Sequence, residues 1–184
     1  MQELSLNILD VAENSVRAGA TLTTILVDEQ PQQDLLTIQI ADNGCGMSEE
    51  QVQRVTDPFF TTRTTRKVGL GVPLLKMAAE LAGGSFSIRS KLGEGTTTTA
   101  TFQLGHIDRM PLGDVAATIC TLVQCNPEID FVYTYRRGER EFSADTRQFR
   151  QILGDVPFDT PEVSDYIREY LNENKLDTDG GVSY

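Results

Sequence analysis

No stretch of this chain approaches the ~20 consecutive apolar residues that crossing a bilayer takes, and VAATICTLV (115–123) is far shorter. The opening MQELSLNILD has no basic segment followed by an apolar run, so no secretory leader is expected. Cysteine is scarce. Cys45, Cys120 and Cys125 are odd in number and none stands in a CxxC pair. That argues against a disulfide framework or a zinc site and for reduced thiols in a cytoplasm. Cys120 and Cys125 read as small buried hydrophobes in or near a helix. Positive charge is in deficit, with 16 Lys and Arg against 27 Asp and Glu and a net charge of -11. Such a chain repels nucleic acid and anionic membrane, so neither is expected as a partner. Histidine occurs once, as His106, and no internal repeat is visible.

What remains is ordinary globular composition. Hydrophobic residues make up 39% and charged residues 23% of 184 residues, enough for one good core, or one domain and a small appendage. Residues 4–18 carry Leu4, Ile8, Val11 and Ser15 along one helical side, widened by Leu9, Ala12 and Val16, with Gly19 as the stop. Asp10 and Asn14 lie together on the opposite side, one turn apart. TLTTILVDE (21–29) and LLTIQIAD (35–42) alternate as strands, joined by the turn QPQQ. DNGCGM (42–47) is a glycine loop, and Ser48 with Gln51 makes a capping box for a short helix.

Residues 57–71 are rich in Thr, basic residues and Gly, and read as a loop. A helix opens at Pro73 and stops at Gly83-Gly84. SFSIRS and TTTTATFQL are strands around KLGEG. The pattern breaks at GHIDRMPLGD, which sets a domain boundary near residue 105. Beyond it come a helix, a hairpin turning at Arg137-Gly138, a helix capped by Thr160 with Pro161 at its first position, and a frayed tail, DTDGGVSY. Residues 1–104 carry 12 acids and 8 bases, whereas residues 105–184 carry 15 and 8. The more acidic second part suits a basic protein partner or a plain solvated surface.

Four elements therefore follow in order: a helix with Asp10 and Asn14, a strand ending at Asp42 and opening into Gly44 and Gly46, a Thr- and Arg-rich loop after Phe59-Phe60, and Gly69-Leu70-Gly71 at a helix start. Together they resemble the GHKL ATPases, which include sensor histidine kinases, MutL-type repair proteins, type II topoisomerase ATPase domains and heat-shock chaperones. AENSVRAGAT (12–21) resembles the family's N box and DNGCGM its G1 box. DPFFTTR (57–63) and GLGVPLLKMAAELAGGSFSIRSKLGEGT (69–96) resemble the lid and G2 box of histidine kinases. The resemblance covers residues 1–104.

It implies an α/β fold of the Bergerat type: a two-layer sandwich with helices on one face of a mixed sheet, followed here by a small C-terminal α/β module at 105–184. It implies ATP and Mg²⁺ as cofactors. Asn14 matches the Mg²⁺-holding asparagine. Asp10 matches the residue that orients or deprotonates the attacking water, although the family's hydrolysing members usually have Glu there. Asp42 matches the acceptor of the adenine amino group. Gly44 and Gly46 match the glycines that let the backbone approach the ring, Met47 packs on the adenine or in the core, and Thr96 matches the threonine that helps hold adenine. Phe60, with Phe59, matches the lid anchor or is core packing. Arg63 matches a lid cation, with Arg66 and Lys67 nearby. Gly69, Leu70 and Gly71 match the start of the triphosphate-binding helix, whose free N–H groups and positive end suit phosphate.

His106 follows this region, lacks the family's H-box surroundings, and reads as a junction residue. The resemblance thus implies the ATP-binding half of a histidine kinase, transferring the γ-phosphate to a partner protein or slowly to water. The alternative is a nucleotide-gated protein-binding regulator of the anti-sigma-factor kind. A MutL-like dimerising ATPase is a third reading, for which the chain is too short to hold that family's transducer.

Overall fold

The computed structural model describes residues 2–57 and 70–181. Phe59, Phe60, Arg63, Arg66, Lys67 and Gly69 lie outside these residues. A mixed six-stranded sheet in the order β3-β4-β2-β1-β5-β6 forms one layer and the helices the other. The first half runs α1 (Leu4–Arg17), β1 (Leu22–Gln30), β2 (Leu35–Asp42), α2 (Glu49–Val55), α3 (Gly71–Leu81), β3 (Phe86–Lys91) and β4 (Gly95–Gln103). The second runs α4 (Val115–Cys125), β5 (Asp130–Arg137), β6 (Arg140–Asp145), α5 (Thr146–Leu153) and α6 (Pro161–Asp179).

Period-two patterning decides which strand face meets the helices. Ile25 and Val27 of β1, Leu36, Ile38 and Ile40 of β2, Ala100 and Phe102 of β4, and Tyr133 and Tyr135 of β5 are buried in one core. The helical stripe Leu4, Ile8, Val11 and Ala12 of α1 packs onto it, with Val72, Leu75 and Ala79 of α3. Each large aliphatic side chain so buried stabilises the fold by about 1.5–3 kcal/mol.

Residues after 105 build onto this same sheet. β5 pairs parallel with β1 from Leu22↔Asp130 to Glu29↔Arg137. The segment leading to α4 also serves the start of α1. Glu3 gives α1 no side-chain cap, and instead the Leu4 and Ser5 N–H groups donate to the carbonyls of Pro111 and Leu112 at 2.9 and 2.8 Å. Two of the four orphan donors of that helix end are thereby satisfied by distant chain.

Several local expectations change. The QPQQ link is a short 3-10 turn, Pro31–Gln33, closed by Asp34 in the left-handed region. α3 begins at Gly71, two residues before Pro73, which then sits within the first turn, where a missing N–H costs nothing. The Thr160 hydroxyl does not cap α6 but donates to the Pro157 carbonyl at 2.8 Å. The start of the expected frayed tail is ordered: α6 runs on to Asp179, whose buried carboxylate accepts from Lys175 Nζ at 2.6 Å. The sequence pattern does not announce α5; Asp145 caps it by accepting from the Arg147 N–H. The capping box of α2 forms as expected, with reciprocal bonds between Ser48 and Gln51.

Candidate functional site

β2 ends at Asp42, and the chain leaves the sheet there through a loop held at both sides. The Asn43 side chain accepts from the Thr21 and Leu22 N–H groups at 2.9 and 3.0 Å. The Cys45 N–H donates to the Ala18 carbonyl at 2.9 Å, tying the loop to the end of α1. The Gly93 N–H donates to the Cys45 carbonyl at 2.7 Å, tying it to the β3–β4 turn. Gly46 fits the gap between these supports. Its φ is +68°, and a Cβ there would fall 2.0 Å from the Lys91 carbonyl oxygen. Only glycine meets both conditions.

The loop, α1 and the inward faces of β2, β3 and β4 enclose a cavity of about 270 Å³. Asn14, Asp42, Gly46, Met47 and Thr96 line it, with Val11, Val72 and Ile88 among its apolar walls. Five residues expected at a nucleotide site thus surround one space. A wider depression of about 680 Å³ lies at the other end of β1, between Gln30 and the Arg137–Arg140 turn, and contains none of the expected residues.

Asp42 is held rigidly. Ser15 Oγ donates to its Oδ2 at 2.7 Å and the Gly44 N–H to its Oδ1 at 2.8 Å. Thr96 lies directly across from Asp42 on β4. Its hydroxyl is 2.8 Å from Ser90 Oγ, which accepts from the Met47 N–H at 2.7 Å. Asp42 and Thr96, opposed across β2 and β4, are thus each held by bonds of their own.

Asp10 lies one turn before Asn14 on α1, about 6 Å along the axis. It is exposed and is not part of the cavity lining. The start of α3 abuts it: a Cβ on Gly71 would lie 2.8 Å from Asp10 Cβ, so only glycine lets the helix approach so closely. Desolvation, then the neighbouring Glu13, hold the Asp10 carboxyl above the ordinary carboxylate range against the opposing pull of Arg17. Leu70, the N-cap of α3, is exposed and also stands outside the cavity lining. Phe60, Arg63 and Gly69 belong to the stretch outside the described residues.

Asn14 is half-buried, and its Oδ1 accepts a long bond of 3.4 Å from Arg17. Among the described residues no group of three or more His, Cys, Asp or Glu side chains could hold a metal. A single amide oxygen at the cavity suits Mg²⁺, which keeps several waters and leans on substrate phosphates instead of an all-protein cage.

The sequence motifs do not single out Ser15, Asn43 or Ser90. Ser15 shares the buried face of α1 with the polar Ser5 and Asn7 and with the apolar stripe, and Ser90 is polar where Phe86 and Ile88 set the inward register. A polar residue in a buried period is the available signal.

Residues 1–106 match the profile of the histidine kinase-, DNA gyrase B- and HSP90-like ATPases, and the chain belongs to this family. A candidate sensor protein of Shewanella frigidimarina (strain NCIMB 400) is 33% identical over 109 residues, 58% of this chain and 17% of that protein. Sensor protein SrrB of Staphylococcus aureus (strain NCTC 8325 / PS 47) is 35% identical over 102 residues, 53% of this chain and 17% of that protein. The matches span about a sixth of these relatives' length. A crystal structure of the N-terminal domain of a DNA repair protein superposes with a TM-score of 0.57 at 13% identity, covering 78% of this chain and 52% of that one, which shows a shared fold. The chain thus carries a histidine-kinase-like ATP-binding domain. Among the described residues no helix is long and apolar enough to cross a membrane.

Proposed function

We propose that the chain binds Mg-ATP in the cavity between α1 and the glycine loop and passes the γ-phosphate to a partner protein, or slowly to water. The observation that carries this reading is the convergence of Asn14, Asp42, Gly46, Met47 and Thr96 on one cavity of about 270 Å³, with Asp42 immobilised by two donors. Asp42 accepts the exocyclic amino group of adenine, a contact that needs a fixed, partly desolvated acceptor. Met47 and Ile88 contact the ring faces, and Thr96 adds a hydroxyl beside the acid. Asn14 lies on the phosphate side, and its amide oxygen is the group that would hold Mg²⁺. A cation bound there would supply neutralisation of the triphosphate's negative charge. The N-terminal end of α3, at Leu70 and Gly71, takes the phosphates, and the sequence motif assigns Gly69 and Arg63 to the same group.

In the transfer step an acceptor oxygen or nitrogen attacks the γ-phosphorus in line. The bond to the β–γ bridging oxygen breaks and ADP leaves with that electron pair. Asp10 orients the attacking group and takes its proton when that group is water. Its carboxylate is one methylene shorter than the family's usual glutamate, so hydrolysis is slow.

A protein acceptor is supported by the surface beside Asp10. Leu70, Leu74, Met77 and Leu81 recur at helical spacing on α3 and are exposed, an apolar stripe that begins where Gly71 meets Asp10. His106 is no self-contained acceptor; its Nδ1 accepts from the Asp108 N–H at 3.1 Å in the turn after β4. Residues 105–184 extend the sheet of the ATP-binding region through β5 and β6, and their acidic surface suits a basic protein partner. The second reading is a nucleotide-gated, anti-sigma-factor-like regulator with little turnover. The exposed, shortened Asp10 favours it.

Purified protein incubated with Mg²⁺ and γ-labelled ATP, with and without extract of its own cells, separates these outcomes. Label on a second protein establishes a kinase acting in trans. Label released only as phosphate establishes an ATPase. Retained, intact ATP supports the gated regulator, and no retention of ATP at all overturns the site.

A further inference from the structure

Ser90 Oγ stands at the junction of three bonds. It accepts from the Met47 N–H at 2.7 Å, donates to the Gly95 carbonyl at 3.1 Å and lies 2.8 Å from Thr96 Oγ1. A hydroxyl has one proton and two lone pairs. The Met47 N–H takes one lone pair. The Gly95 carbonyl can only accept, so it takes the proton. What Ser90 has left for Thr96 is a lone pair. The three bonds therefore coexist only when Thr96 is the donor in the third.

That assignment fixes the polarity of one cavity wall. Thr96 lines the cavity, whereas Ser90 stands behind it and is not part of the lining. The single Thr96 proton is committed to Ser90, so the hydroxyl has only lone pairs left for a ligand. Asp42, opposite Thr96 on β2, is an acceptor as well, and Ser15 Oγ and the Gly44 N–H donate to its two oxygens. The two polar groups paired across β2 and β4 at this end of the cavity thus both ask for hydrogens. A ligand edge that carries lone pairs there meets two acceptors and no donor. Were Ser90 unable to accept, the Thr96 proton would be free to turn toward such an edge.

We propose that Ser90 is a positioning residue that makes Thr96 an acceptor and so restricts the cavity to purines with a 6-amino group. Adenine brings two hydrogens on one nitrogen to a pair of acceptors. A 6-oxo purine brings lone pairs to the same place and leaves the acceptors without partners, which is how a polar site rejects a near-isostere. This rests on the reading that Asp42 grips the exocyclic amino group of adenine.

The test is the ratio of affinities for ATP and for inosine triphosphate, its 6-oxo counterpart, measured by competition titration. Wild type is expected to prefer ATP by about 100-fold or more. Ser90→Ala releases the Thr96 proton toward the 6-oxo group, so the ratio should fall about five- to tenfold. Its ATP affinity should also drop severalfold, because the Met47 N–H loses its acceptor. Thr96→Val removes an acceptor and should narrow the ratio too. Adding Ser90→Ala to Thr96→Val should leave the ratio where Thr96→Val puts it, because Ser90 acts through Thr96. A wild-type ratio near one overturns the inference. So does Ser90→Ala weakening both nucleotides in equal proportion, which is what a purely structural role gives. A ratio that widens in Thr96→Val shows that Thr96 donates to the ligand and overturns it as well. If Ser90→Ala does not fold, the direction of change in Thr96→Val decides alone. Unchanged ATP binding in Asp42→Ala overturns the site and this inference together, whereas its loss there with an unmoved ratio in Ser90→Ala overturns the Ser90 role and leaves the site intact.

Discussion

Ser15 Oγ donates to Asp42 Oδ2 at 2.7 Å, joining the inward face of α1 to the end of β2 across 27 residues of sequence. The bond explains why a hydroxyl interrupts an otherwise apolar helical stripe. Ser15 is 3% exposed, and removing a buried bond to a charged acceptor costs about 1.5–3 kcal/mol. Ser15→Ala is expected to lower unfolding stability by about that amount in denaturant melts and to weaken ATP binding severalfold. Asp42→Ala should abolish ATP binding outright. An alanine variant at Asp42 with wild-type affinity would show that the cavity is not the nucleotide site.

Gly46 and Gly93 both have positive φ, but differ in space. A Cβ on Gly46 would strike the Lys91 carbonyl at 2.0 Å, whereas one on Gly93 would meet nothing within 4 Å. Gly93→Ala should cost only the backbone strain of the left-handed region, about 1–2 kcal/mol. Gly46→Ala should cost clearly more and take ATP binding with it, because the loop must shift off β3. Paired thermal melts and nucleotide titrations test the contrast.

Asp10 binds its proton more tightly in the folded protein than the ordinary value of 3.8 implies, chiefly through desolvation. Above the folded pKa the charged form therefore opposes folding. Below the unfolded value both states are protonated, and the penalty vanishes. Asp10→Asn should accordingly melt higher than wild type at neutral pH, with the gain shrinking as pH falls through the carboxylate range. The same variant should lose γ-phosphate release while retaining ATP. Equal melting at all pH values would count against the desolvated carboxyl.

Glu29 is 4% exposed, and its Oε2 accepts from Tyr135 OH and Arg137 Nη1, both at 2.7 Å. Removing one partner of a buried pair leaves an uncompensated charge and costs about 3–5 kcal/mol. Arg137→Ala should fall near that range in chemical unfolding. Tyr135→Phe, which leaves the ion pair, should cost much less. ATP affinity should be unchanged in both, since this cluster sits at the far end of β1 from Asp42.

The threonine run of β4 divides by register. Thr96 and Thr98 face inward with the cavity, whereas Thr97 and Thr99 face outward. Thr97→Val should change stability by no more than about 0.5 kcal/mol and leave ATP binding alone. Thr96→Val should weaken binding, because it removes the hydroxyl shared with Ser90. Parallel titrations of the two variants give the answer.

Much of this protein is legible in its sequence by itself. Helix and strand periods are local, set by residues two to four apart, so α1, β1, β2, β4 and the hairpin stand out from side-chain alternation alone. The capping box at Ser48 and Gln51 spans one helical turn, and it forms as that spacing predicts. The order of motifs points to Asn14, Asp42, Gly46, Met47 and Thr96, and these five line one cavity. The tertiary structure decides what depends on contacts between distant residues. Pairing β5 with β1 joins positions about a hundred residues apart, and no local period encodes it. The order at Asp179 arises from burial against the sheet and its bond to Lys175, which composition at a polar tail does not reveal. Along the chain, Ser15 and Ser90 look like lapses in apolar patterns. Their meaning comes from the fold, which brings Ser15 of α1 onto the Asp42 carboxylate and sets Ser90 opposite Thr96 in the sheet, because a buried hydroxyl is explained by the partner folding brings to it.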